Sequence, residues 1–381
     1  MRILLVGEYS NFHNSLKEGL ITLGHQVVIC SDNDFKNYPA DYSTFACWFK
    51  TYFFLNLIRQ FIFKISKVDL AQWEAALRFF LLKKHFKNFD VVQLVNEYPL
   101  QTTPYLEKKI LSFLFKKNKN VFLASCGDDY PSVTYMLNGD FKYSVLTPCL
   151  QDPNKTHCQY TLRYVAPAFK KLHDFIYQNI KGVIAGDVDY YIPLKNHPKC
   201  LGLIPYPINL NKIKPLALPP LEPVVVFHGI NRVNYYKKGN DYFEKALQIL
   251  EERLPNRFKV ITTESLPYQE YIHQFNQAHI VLDQVLSYDQ GYNALEAMAK
   301  GKVVFTGAET EFLIHYNLTE KVCINALPDP ESIAQELAFL IENPQEIIKI
   351  SQNARAFVEK EHDYVKIAER YLGVWTNHCS E

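Results

Sequence analysis

Short apolar runs alternate with amphipathic stretches along most of the chain. RILLVG (2–7) has the unbroken apolar pattern of a strand buried on both faces. A helical stretch follows to about Leu23, and QVVIC opens a second strand at Gln26. Comparable runs are DVVQLV from Asp90, NVFLAS from Asn120 and GVIAG from Gly182, with helical segments between them. From Leu201 to Val224 the alternation stops, because LGLIPYPINLNKIKPLALPPLEPV holds six prolines. That density suits neither a helix nor a central strand and predicts an ordered, extended linker. Beyond it the pattern restarts: VVVFHG (224–229), a helix over 241–253, FKVIT from Phe258, a helix over 268–278, HIVLDQ from His279, a short helix, then KVVFTG from Lys302.

Strands alternating with helices make parallel sheets covered on both faces. The expected fold class is α/β, with two Rossmann-like domains, 1–205 and from 206 onward, whose parallel sheets face a central cleft. No repeat with a period of 20–50 residues argues for a solenoid. The loop after the first strand reads GEYSNFH rather than G-x-G-x-x-G, which removes the main sequence support for a dinucleotide-dependent dehydrogenase.

Composition narrows the class further. With 48% hydrophobic and 21% charged residues, the chain is globular rather than disordered. The eight cysteines are scattered without a C-x-x-C pair, which argues against a zinc ribbon and fits a reduced cytosol. MRILLVGEYS lacks a signal-peptide layout, and no run of 18 apolar residues predicts a spanning helix, so a cytoplasmic location is expected.

The net charge of +1 hides an asymmetry. Residues 1–205 carry 24 basic and 17 acidic side chains, which leaves 17 basic and 23 acidic for the remainder. Much of the excess lies in WFKTYFFLNLIRQFIFKISK (48–67) and YLEKKILSFLFKKNKN (105–120). Such stretches read either as core-packing helices with solvated lysines or as a surface for the inner face of a membrane. Nucleic acid is not an expected partner, given the near-zero net charge and the absence of a module signature.

Two stretches carry the chemistry. In HGINRVNYYKKGNDYFEKAL (228–247) a strand ends at Gly229, Arg232 and Lys238 follow in the loop, and Gly239 permits the turn into a helix. Loops at the carboxyl ends of parallel strands bind ligands, and a guanidinium beside an ammonium suits a diphosphate. In DQGYNALEAMAKGKVVF (289–305) a glycine loop opens a helix whose free N–H groups can take an anion. Glu296 on that helix has two readings: the partner of an Asn293 N-cap in a capping box closed by Gly301, or a carboxylate accepting ribose hydroxyls.

With HGINR…KKG, LPYQEYIHQFNQAHIVLDQ and GYNALEAMAKGKVVF in this order, the chain resembles the GT-B glycosyltransferases, and over 200–375 the retaining family-4 group. IPYPINLNKIKP fits that family's inter-domain entry, and EHDYVKIAERYLGVW its last helices. The resemblance implies an N-terminal acceptor domain (1–205), a C-terminal nucleotide-sugar domain (206–361) and a tail (362–381) that crosses back. It implies transfer from a UDP- or GDP-linked sugar to a glycan or lipid-linked hydroxyl, in cell-surface glycan assembly. Arg232 and Lys238 would hold the diphosphate, Glu296 the ribose, and Gly291, Tyr292 and Asn293 would present amides. Gly229, Leu266 and Pro267 would lie along the donor, the last two against the base. The family's second glutamate, eight residues before Glu296, is replaced here by Tyr288, with the adjacent Asp289 or Asp283-Gln284 just upstream as its expected substitute at the donor.

On the acceptor side, His13, Asp128 and Asp129 follow strands on the same side of the first sheet and are the candidates for touching substrate; each reads equally as a local capping residue. Asp187-Val-Asp189 superficially matches a metal-binding Asp-x-Asp, but the cationic side chains already supply leaving-group stabilisation, and no metal is expected. A nucleotide-sugar epimerase of the same shape and a non-catalytic nucleotide-sugar binder are the competing readings.

Overall fold

A computed structural model describes residues 1–32, 38–152, 157–264, 266 and 268–379. Among them the first seven strands are β1 (Arg2–Val6), β2 (Gln26–Ser31), β3 (Tyr42–Ser43), β4 (Val91–Leu94), β5 (Val121–Ser125), β6 (Val183–Ala185) and β7 (Cys200–Leu203). The other five are β8 (Val224–Ile230), β9 (Phe258–Glu264), β10 (Ile280–Leu282), β11 (Val303–Thr306) and β12 (Ile324–Asn325). The chain forms two compact units. The first comprises Met1–Thr134, Leu162–Pro207 and Tyr364–Glu381; the second comprises Tyr135–Thr161 and Ile208–Asp363.

In the first unit the parallel sheet runs β3-β2-β1-β4-β5-β6-β7. Ile3, Leu4, Leu5 and Val6 are wholly buried, which is what an apolar run without alternation requires of a central strand covered on both faces. The Tyr364–His378 helix packs on the Phe12–Thr22 helix. Gly19 makes that approach possible, since a Cβ there would sit 2.2 Å from the Tyr364 carbonyl oxygen. Trp375 on the same late helix is fully buried and donates its indole N–H to Gln93 Oε1 at 3.0 Å.

In the second unit the parallel sheet runs β12-β11-β10-β8-β9, so the chain direction across the sheet reverses between β8 and β10. Residues 135–152 and 157–161 pack here, although they lie within the span 1–205. Lys142 N–H donates to the Tyr288 hydroxyl (2.8 Å), and Lys142 Nζ and Tyr143 Oη reach Glu309 at 2.7 and 2.5 Å. Cys149 and Cys158 form a disulfide, a pairing that the scatter of cysteines did not suggest.

Other expectations are adjusted by the structure. Residues 200–203, partly inside the predicted linker, form the edge strand β7. The remainder of the linker is tied down at Ile208, whose N–H donates to the His362 carbonyl at 2.7 Å. The basic stretch at 105–120 is the core-packing case: on the Pro104–Lys117 helix, Leu106, Ile110, Leu111 and Leu114 are buried. The stretch at 48–67 is not, because the Phe53–Ser66 helix buries none of its residues.

Candidate functional site

The reversal between β8 and β10 opens the ends of two adjacent strands, the position where parallel sheets bind ligands. The loop after β8 is held by a relay of side chains. Buried His228 donates from Nε2 to Asn240 Oδ1 (2.9 Å), and Asn240 Nδ2 donates to the Tyr235 carbonyl (2.9 Å). Burial lowers the His228 pKa below its ordinary value. Gly239 then turns the chain at φ +69°, and a Cβ there would stand 2.7 Å from Val285 Cβ. Glycine is thus required for both backbone conformation and space.

That close approach ties the two loops together. Val285 N–H donates to the Lys238 carbonyl at 3.0 Å. Lys238 Nζ reaches Asp283 Oδ1 (3.1 Å) and Gln284 Oε1 (2.8 Å), and Asn293 Nδ2 donates to the same Asp283 oxygen at 2.9 Å. Asp283, with its side chain almost wholly buried, therefore joins the ammonium to the first turn of the Tyr292–Ala299 helix. The N-cap of that helix is Gly291, so no capping side chain stands at its positive end.

The capping-box reading of Glu296 is corrected by this register. The helix begins at Tyr292, which puts Asn293 inside the first turn with its amide committed to Asp283. Glu296 lies in the second turn, half-buried, and interacts electrostatically with Lys300. Tyr292 is buried and Asn293 exposed.

The loop leading into the helix is anchored on Gly307. Gln290 Nε2 donates to the Gly307 carbonyl (2.7 Å) and its backbone N–H to Asp289 Oδ1 (2.7 Å). A Cβ on Gly307 would come within 2.5 Å of Ser287 O and 2.7 Å of Asp289 N and O.

Arg232 stands apart from this convergence. It is exposed and donates to Glu264 Oε2 at 2.7 Å, at the end of β9, with its guanidinium over the Tyr235 ring. Gly229 sits in β8 against Phe227 and Tyr271. Leu266 is exposed. Pro267 lies outside the described residues. Tyr288 is buried against Phe141 and Tyr143, with its hydroxyl accepting the Lys142 N–H, so the side chain that replaces the family's glutamate holds residues 141–143.

Two acidic residues tie these loops together: Asp283, named with Gln284 as a possible substitute for the family's glutamate, and Glu309, which the sequence did not single out. Burial alone would raise the Glu309 pKa, but the hydrogen bonds from Lys142, Tyr143 and Asn325 hold it below the usual carboxylate range. Asp283 had a sequence signal, an acid immediately after the apolar strand IVL. Glu309 had none, since two of its three partners, Tyr143 and Lys142, lie 166 and 167 residues away.

In the first unit the candidates are buried, His13 on the helix after β1 and Asp128 and Asp129 in the loop after β5. His13 is fully buried; Nδ1 donates to the Gly7 carbonyl (2.7 Å), Nε2 has no hydrogen-bond partner, and burial lowers its pKa to about 3. Asp129 accepts the Ser125 hydroxyl and the Ser132 N–H (2.9 Å), the latter a cap of the Tyr130–Asn138 helix. Burial, then the neighbouring Glu97, raise it to about 7. Asp128 is buried, and its carbonyl accepts from Asn96 Nδ2 at 3.2 Å. Glu97 in turn pairs with His173 Nδ1 at 2.6 Å, a contact across 76 residues that no local pattern announces. Asp187 is a helix cap as well, accepting from Tyr190 N–H (3.1 Å) and the Tyr206 hydroxyl (3.0 Å).

Residues 227–373 match the family model described as glycosyl transferase-like. Over 99% of this chain and 98% of the other, the structure resembles sucrose-phosphate synthase from Thermosynechococcus elongatus, with a TM-score of 0.63 at 15% identity. This is a GT-B fold protein with a glycosyl transferase-like domain. The GT-B chain also resembles Anabaena HepE, solved with UDP and glucose, at a TM-score of 0.58 and 12% identity over 99% of this chain and all of that one. UDP-GlcNAc 2-epimerase from Neisseria meningitidis shares the GT-B arrangement at a TM-score of 0.50 and 14% identity, over 99% of this chain and 100% of the other. No curated protein sequence matches the GT-B chain. The domain match and the fold together support glycosyl transfer as its class of chemistry.

Proposed function

We propose that this protein moves a sugar from a nucleotide-diphosphate donor, UDP- or GDP-linked, to a hydroxyl of a glycan or lipid-linked acceptor, with retention, in cell-surface glycan assembly. The observation that carries the reading is the meeting of Lys238, Asp283 and Asn293 at the uncapped start of the 292–299 helix, where the strand order reverses. A diphosphate suits an ammonium and helix-start amides there, and Gly291, Tyr292 and Asn293 supply those amides. Lys238 then meets the charge that grows on the leaving group, and Arg232 exchanges Glu264 for a phosphate oxygen. Glu296 takes the ribose hydroxyls, Gly229 and Leu266 line the donor, and Pro267 meets the base. Asp289 and Gln290 set the glycine loop.

The second unit is the donor domain and the first the acceptor domain, with 364–378 completing the latter. With two cationic side chains at the diphosphate, the reading needs no metal. The protein acts in the cytoplasm, at the inner face of the membrane where a lipid-linked acceptor is presented. Tyr288 favours one competing reading, a binder without turnover, since it leaves no carboxylate eight residues before Glu296.

A thermal-shift panel of UDP, GDP and their sugars tests the site, because ligands that bind only the native state raise its melting temperature. A shift with one diphosphate series, lost in Lys238→Ala, supports it; no shift with any member refutes it. Product analysis separates the chemistries: transfer to a hydroxyl marks a transferase, altered nucleotide sugar without acceptor an epimerase, and binding without either the inactive binder.

A further inference from the structure

A helix on a protein surface ordinarily turns its apolar face to the core. The Phe53–Ser66 helix does the reverse. Phe54, Leu57, Ile58, Phe61 and Ile65 recur at the spacing of one helical face, and Phe54, Phe61 and Ile65 are 78%, 66% and 70% exposed. Leu55, Arg59 and Ile62 on the other side are half-buried. The adjoining Leu70–Leu82 helix buries Ala71, Ala75 and Phe79 and turns Trp73, Leu77 and Leu81 outward, so the two helices share one exposed apolar face.

Charge around this face has one sign. Residues 44–89 contain eight basic and two acidic side chains. Both acids are already taken by arginines: Asp69 by Arg59 (2.6 and 2.7 Å) and Glu74 by Arg78 (2.8 Å). The surplus is six lysines, Lys50, Lys64, Lys67, Lys83, Lys84 and Lys87, none in a direct ion pair with an acid among the described residues, although Lys50 lies within electrostatic reach of Asp69. A second copy of the chain would bring the same positive face and be repelled, and protein interfaces are depleted in lysine at their centres. A bilayer bearing anionic lipid satisfies both features, taking the aromatic and aliphatic side chains into the acyl boundary and the lysines among the headgroups.

We infer that the Phe53–Ser66 and Leu70–Leu82 helices are a docking face that lies in the plane of an anionic membrane surface. This deepens the lipid-linked acceptor reading, by naming the surface and the lipid charge it needs. No helix among the described residues is long and apolar enough to cross a membrane, so binding in the plane is the mode these helices can provide.

The test is sedimentation of the full chain with phosphatidylcholine vesicles containing about 30% phosphatidylserine, against phosphatidylcholine alone. Binding is expected only with the anionic vesicles, falling at least tenfold at about 0.5 M salt. Phe54→Ser, Phe61→Ser and Ile65→Ser combined should reduce it by roughly 30-fold or more, since the removed side chains supply the buried area. Lys64→Glu with Lys67→Glu should reduce it by roughly tenfold. Absent binding to anionic vesicles, or equal binding by the triple serine variant, overturns the inference. So does a dimer in sedimentation equilibrium that the triple variant dissolves, which would make the face a contact between copies. The serine substitutions lie outside the nucleotide site, so an unchanged nucleotide thermal shift in that variant shows an intact fold. Vesicle binding without any nucleotide response would sink the proposed function and leave the docking face standing.

Discussion

Acidification should expose the cost of charging His13. Nδ1 faces the Gly7 carbonyl and must donate, the ring is fully buried, and its pKa falls from 6.5 to about 3. The unfolded chain takes up a proton near pH 6.5, while the folded chain refuses it until about pH 3. The folded pKa is depressed, so stability is complete above pH 6.5 and falls as pH drops toward 3. Integrating this linkage gives a loss of about 2 kcal/mol at pH 5 and about 3 kcal/mol at pH 4. Asp129 and Glu107, both raised to about 7 by burial, act in the opposite sense, so the total pH profile hides the term. The measurement is therefore a difference: urea-unfolding midpoints of wild type and His13→Gln, which keeps a donor for Gly7, followed from pH 7 to 4. Proton NMR of the His13 ring checks the cause directly. A ring signal that titrates near pH 6.5, or parallel midpoints for the two proteins, would refute the reasoning.

Further outcomes follow from the second unit. Lys238→Ala should lower kcat/KM by the equivalent of about 2–4 kcal/mol, the loss of one charge-assisted donor to the leaving group, and Arg232→Ala should lower it as well. Only Lys238→Ala should also lower the melting temperature, by about 1–3 kcal/mol of stability, because it strips the cation from buried Asp283. Gly307→Ala puts a Cβ 2.5 Å from Ser287 O, and should cost about 1–3 kcal/mol while weakening UDP or GDP binding in calorimetry by displacing the 287–291 loop. Tyr288→Phe leaves the Lys142 N–H without its acceptor, and should cost about 1 kcal/mol of stability with the nucleotide Kd unchanged. An altered Kd in that variant would return Tyr288 to the donor site.

Sequence pattern reached furthest where physics is local. RILLVG, VVVFHG and KVVFTG are apolar without alternation, and each is a strand of a parallel sheet covered on both faces. β3 and β12, two residues each, and β7 next to the prolines are too short or too mixed to show a period. In the site, Gly239 and the 289–301 word were legible because turn and helix start use few residue types. The commitment of Asn293 to Asp283, and of Tyr288 to residues 141–143, depends on contacts across the sheet that leave no local trace. The outward face of the Phe53–Ser66 helix was ambiguous for another reason: an amphipathic pattern gives the stripe but not the direction it faces.

The late position of Trp375 bears on biogenesis. The indole of Trp375 is buried against Gln93, which is made 282 residues earlier, so a nascent chain holds an unfinished amino-terminal core until it has been extended past residue 375. Cutting the gene after residue 205 would yield a fragment in which Phe12, Gln93 and Phe122 lose the Tyr371 and Trp375 rings that cover them, a substrate for chaperones rather than a free-standing module. Supplying the 364–379 peptide in trans is the natural remedy.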